Sequence, residues 1–78
     1  MSREDTNKLR YTIALIAEFA VRFGLSDRQA YNYINRFKGM EYLFSFYDVL
    51  HTLPFDEAIE ALTVICGRNG GKLKYGSV

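Results

Sequence analysis

Met40-Glu41-Tyr42-Leu43-Phe44-Ser45-Phe46-Tyr47-Asp48-Val49-Leu50 is the stretch on which the fold turns. Met40, Leu43, Tyr47 and Leu50 recur at a helical spacing, while Tyr42, Phe44 and Phe46 alternate as they would along a strand. A strand here would need a partner, and no other stretch of the chain offers one; a lone hairpin is marginal in water. The run therefore reads as a short helix over about Met40–Phe46, with an extended or irregular path as the alternative. With that reading the chain is all-α.

Upstream, Leu9, Ile13, Ile16, Ala20 and Phe23 recur at steps of four and three, and Leu15 and Phe19 widen the stripe, which predicts an amphipathic helix over Lys8–Phe23. Gly24 can take the left-handed backbone that closes a helix and Leu25 can pack back on it. Ser26 with Gln29 three residues on is a capping box, so a second helix is expected to begin at Asp27. Ala30, Tyr33, Ile34 and Phe37 form its narrow apolar side, and Gly39 is expected to end it. Downstream, Pro54 suits a first helical turn, and Asp56 and Glu57 complement the positive end of the dipole. The last helix is expected to bury Phe55, Ala58, Ile59, Leu62, Ile65 and Cys66 and to stop near Cys66, with Gly67 as its cap.

The sum is one helical domain over residues 1–78, with loose tails at about 1–7 and 72–78. It is a small orthogonal bundle of three longer helices plus one short helical or irregular element. A chain of 78 residues buries roughly 60% of the surface that its unfolded form exposes, so stability should be modest. Six Phe and six Tyr are a generous supply of rings for such a core, and a surplus left outside marks an interaction surface or a homodimer contact. Ten basic and nine acidic side chains leave a formal charge of +1, which supplies no broad field for nucleic acid or an anionic membrane. One cysteine cannot form an internal disulfide, no apolar leader opens the sequence, and no apolar run is long enough to span a membrane. A cytoplasmic protein is the expectation.

The residues that could carry chemistry are few. Tyr47, Asp48 and His51 could serve as acid, orienting carboxylate and base, since Asp48 and His51 would share a helical face. No motif supplies a nucleophile or an oxyanion hole, so the plainer reading has both hydrogen-bonded to backbone near the start of the last helix. Cys66 lies on an apolar stripe, where cysteine is an inert small hydrophobe. One Cys and one His cannot make a zinc site, and no cofactor is expected. Gly67-Arg68-Asn69-Gly70-Gly71 follows a helix instead of preceding one, which makes it a cap and not a phosphate cradle. The Gly-Leu-Ser turn into a polar helix admits a helix-turn-helix reading, with Arg28, Gln29, Asn32 and Arg36 facing base edges or phosphates.

Phe46-Tyr47-Asp48-Val49-Leu50-His51-Thr52 and the later Leu62-Thr63-Val64-Ile65-Cys66-Gly67-Arg68-Asn69-Gly70-Gly71 resemble the signature of domain-of-unknown-function family 3791, small bacterial proteins of about this length. The resemblance covers nearly the whole chain and includes the Gly-Leu-Ser turn. It implies no established activity and carries over no functional residues. Genes of this kind often sit beside genes for a family that looks like ADP-ribosyltransferase toxins, which implies a protein partner or an antitoxin-like role. The leading expectation is thus a non-enzymatic bacterial protein-interaction module. Its binding surface is expected at Tyr42, Phe44, Phe46 and Tyr47, with Asp48 and His51 alongside; a DNA-binding protein is the alternative.

Overall fold

The structure, a computed structural model, describes residues 3–71. Among the described residues five helices follow one another: α1 Arg3–Phe23, α2 Asp27–Arg36, α3 Gly39–Ser45, α4 Tyr47–Leu50 and α5 Phe55–Arg68. No strand occurs among the described residues. The run from Met40 to Leu50 is helical, but as two short helices where one short element was expected. The break falls at Phe46, whose backbone (φ −113°, ψ 19°) leaves helical geometry. Its N–H closes α3 on the Tyr42 carbonyl at 3.0 Å, and its own carbonyl opens α4 by accepting from Leu50 N–H at 2.9 Å.

α1 starts at Arg3, five residues before the expected Lys8. The first residues hold no apolar period that could have announced a helix. Leu15, Ile16, Phe19, Ala20 and Phe23 are buried as expected, but Leu9 is 44% and Ile13 60% exposed. The reason is rotation: Tyr11 is half-buried and Thr12 buried at the same height of the helix, so Leu9 and Ile13 are turned away from the covered side. The helix faces its neighbours through a line rotated toward Thr12, Leu15 and Phe19. Thr12 is buried on that line, its hydroxyl donating to the Lys8 carbonyl at 2.8 Å.

The turn between α1 and α2 is as its chemistry dictates. Gly24 adopts φ +66°, Leu25 N–H donates to the Ala20 carbonyl at 2.8 Å, and Gly24 N–H points at that of Val21. Ser26 accepts from Gln29 N–H at 3.1 Å while the Gln29 side chain accepts from Ser26 N–H at 2.9 Å. Both halves of the capping box are therefore made.

Gly39 does a different job from the one expected of it. The left-handed residue after α2 is Lys38 (φ +66°), and Gly39 is the first residue of α3, buried. A Cβ there would stand 2.6 Å from Ile34 Cγ2, 2.9 Å from Leu62 Cδ1 and 3.0 Å from the Ile34 carbonyl oxygen. Glycine is needed for the close approach of α3 to α2 and α5, not for a turn. The same correction applies to Gly67, which lies inside α5; the left-handed cap is Gly70 (φ +99°), with Gly71 N–H donating to the Cys66 carbonyl at 2.8 Å.

The core is one cluster. Phe19 and Phe23 pack with ring centroids 4.7 Å apart, and Tyr33 stacks on Phe19 at 6.0 Å. Ala58, Ile59, Leu62 and Cys66 of α5 fill the other side, joined by Ile34, Leu43 and Leu50. Ile65 is half-buried and Phe55 is exposed at the edge, so the apolar side of α5 is narrower than the periodicity suggested. The expected tail at 72–78 lies outside the described residues, and no helix among those described is long and apolar enough to cross a membrane.

Candidate functional site

α3 and α4 have seven and four residues, too short to persist alone. What holds them is their inward side: Gly39 against Ile34 and Leu62, with Leu43 and Leu50 sunk in the core. Once Leu43 and Leu50 point inward, their neighbours must point out. Phe44 is 47% exposed, Phe46 51% and Val49 59%. Tyr42 is half-buried, its ring tilted against that of Phe46 at 5.0 Å.

Tyr47 is the hinge between this outward side and α1. Its ring meets the edge of Tyr11 at 5.5 Å, and the Lys8 ammonium sits 5.7 Å from the Tyr47 ring centre. The Tyr11 ring also lies 5.9 Å from Phe55, and its hydroxyl donates to the Leu50 carbonyl at 3.1 Å. Burial, with a smaller contribution from Tyr47, raises the Tyr11 phenol above its ordinary value, so it remains a donor at neutral pH. One α1 side chain thus gathers α4 and the start of α5. Tyr11, Lys8 and Val49 were not singled out from the sequence; the spacing Lys8, Tyr11, Leu15, Phe19 carried the signal, one notch around the helix from the stripe that was read.

His51 stacks on Tyr47 with centroids 4.7 Å apart and planes 15° off parallel. Its Nδ1 lies 2.8 Å from the Tyr47 carbonyl, and because a carbonyl only accepts, Nδ1 carries the hydrogen. Nε2 is left as the free nitrogen of an exposed ring. Asp48 is exposed too, and no hydrogen bond joins it to His51 among the described residues. The pair does not form an acid–base couple in this arrangement. The plainer reading, with both side chains on backbone near the start of α5, holds only in part: His51 is held by the backbone of α4, and the Asp48 side chain makes no hydrogen bond to a described residue.

Cys66 is fully buried, and burial pushes its thiol up to about 11, which keeps it neutral and unreactive. Among the described residues no group of three or more His, Cys, Asp or Glu side chains is placed to hold a metal ion. The four residues of the DNA-binding reading lie on the exposed side of α2, but Gln29 is taken up by the cap and the Arg36 guanidinium lies 5.5 Å over the Phe37 ring. Arg28 and Asn32 are simply exposed.

No curated protein and no solved structure matches the chain. One family model does, over residues 10–69, which takes in the Gly-Leu-Ser turn, the α3–α4 corner and the whole of α5. By that match the chain belongs to the family described as Protein of unknown function (DUF3791).

Proposed function

We propose that this protein is a non-enzymatic protein-binding module that docks its partner at the α3–α4 corner, with Phe44, Phe46 and Val49 at the centre and Asp48 and His51 at the polar edge. The observation that carries this reading is the exposure of three large apolar side chains, Phe44, Phe46 and Val49, within six residues. An apolar centre with a polar rim is the usual anatomy of a protein interface. Tyr42 and Tyr47, half-buried behind it, fix the shape of the surface. A neighbouring toxin-like enzyme, bound in an antitoxin-like manner, is the partner class that the family resemblance implies.

The experiment is a tagged capture from the native host at physiological salt, run in parallel with the Phe44→Ala/Phe46→Ala double variant. Expected is one protein in near-equal amount with the wild type and its loss with the variant, at unchanged thermal stability. Equal capture by both would remove the corner as the docking surface. DNA that co-elutes and washes off with salt would favour α2 and its Arg28, Asn32 and Arg36 instead. His51→Ala and Tyr47→Ala should weaken the complex more than they lower the melting temperature.

A further inference from the structure

The near-neutral net charge conceals a division of charge along the chain. Residues 39–67 contain no Lys or Arg and five acidic side chains, Glu41, Asp48, Asp56, Glu57 and Glu60, so this stretch carries −5 while the rest carries +6. The stretch is α3, α4 and nearly all of α5, which are adjacent in space: α3 packs on both α4 and α5, and Tyr11 touches the start of α4 and of α5. All five carboxylates are exposed. Two cations of α1 reach toward them, Lys8 over the Tyr47 ring and Arg22 in an ion pair with Asp56. Glu41, Asp48, Glu57 and Glu60 make no ion pair with a described residue. On α3 the acidic and apolar features share one face, because Glu41 and Phe44 are three residues apart and both exposed.

We infer that the exposed rings of the α3–α4 corner dock a basic segment of the partner protein, one that brings apolar anchors for Phe44, Phe46 and Val49 and Lys or Arg for Glu41 and Asp48 beside them and for the carboxylates of the adjoining α5. The inference rests on the protein-binding reading above and adds the chemistry of the partner. Apolar contact gives such a complex its affinity, while the carboxylates select a basic segment, speed its approach and repel an acidic one. Much of that selection acts within a screening length of about 10 Å at 0.1 M salt, so it is salt-sensitive. The same charge division makes a second copy, whose residues outside 39–67 carry +6, the competing occupant.

The test is selection of a displayed library of random linear peptides on the wild-type protein, with counter-selection on the Phe44→Ala/Phe46→Ala variant. Enriched peptides should carry a net positive charge together with aromatic or branched aliphatic residues. Their binding should weaken about tenfold, the low end of what electrostatic steering supplies, when Glu41, Asp48, Glu57 and Glu60 are all changed to the amide. Ring-dependent peptides with neutral or acidic composition would overturn the basic-partner inference and leave the docking corner standing. Peptides that ignore the rings, or no enrichment at all, would remove both. Sedimentation showing a dimer that Phe46→Ala dissociates would give the surface to a second copy and overturn the inference as well.

Discussion

The α1–α2–α5 core and the α3–α4 corner use the same kinds of residue in opposite ways. In the core the rings of Phe19 and Phe23 are turned inward and the connections are closed by specific bonds: the Ser26–Gln29 box, the Gly24 turn and the Gly70 cap. In the corner the helices begin without a side-chain N-cap, and Phe44 and Phe46 are turned outward. Two short helices are held there by what lies beneath them, Gly39, Leu43, Leu50 and the Tyr11 hydroxyl. Holding the corner therefore asks nothing of its outer rings. That contrast separates residues that make the fold from residues that the fold presents.

The contrast breaks most visibly at Phe19. Phe19→Ala should destabilise the domain by about 3–5 kcal/mol in urea unfolding, since it empties the centre of the ring cluster; a loss under about 1 kcal/mol would mean that the core is not where the structure puts it. Gly39→Ala comes next, at about 1–3 kcal/mol, because the Ile34 carbonyl cannot retreat from a new Cβ as a side chain can. A Gly39→Ala protein as stable as wild type would show that α3 is free to lift from α2 and α5.

Cys66 sharpens the core side of the comparison through pH. Its folded thiol is pushed up to about 11 from an ordinary 9.0, so the folded state holds its proton longer than the unfolded state does. That contribution to stability is complete below pH 9 and is lost as pH rises through about 11. Melting temperatures across that window should fall, and the slope should flatten in Cys66→Ala; the raised Tyr11 and Tyr33 phenols add a further decline above pH 10. Gly67→Ala runs the other way. The site is inside α5 with open space for a Cβ, and the change should stabilise by about 0.5–1 kcal/mol. Smallest of all, Phe44→Ala and Phe46→Ala should each stay within about 0.5 kcal/mol of wild type in the same unfolding experiment, the range of ordinary surface positions. A larger loss would return these rings to a packing role.

What the sequence made legible were features with local causes. Ser26-x-x-Gln29 and Gly24-Leu25 fix their geometry within a few residues, and both are as read. Gly39 and Gly67 were misassigned because a glycine at the end of an apolar run looks the same whether it turns the chain, admits a neighbour or merely continues a helix. Only the position of Ile34 and Leu62, or the onset of the real cap at Gly70, distinguishes these cases. Leu9 and Ile13 keep a perfect period but lie beside the covered line, since the period of a helix does not fix which of two adjacent lines its neighbours take. Tyr42, Phe44, Phe46 and Tyr47 are read from the sequence as one ring-rich region, whereas the exposure of Phe44 and Phe46 alone depends on Leu43 and Leu50 having claimed the inside. Tyr11 escaped notice because its value is a contact 39 positions away.

That last contact has a consequence for motion. The Leu50 carbonyl is shared by the amide of Leu53 and the hydroxyl of Tyr11, and the second of these is a long-range bond from α1 to α4. Releasing it would let α4 open as a unit while the capped core stays closed, an excursion far smaller than unfolding the domain. The backbone protons of Leu50 and His51 would then exchange with solvent ahead of those of Phe19 or Leu62. The corner that meets a partner would be the part of the chain that breathes first.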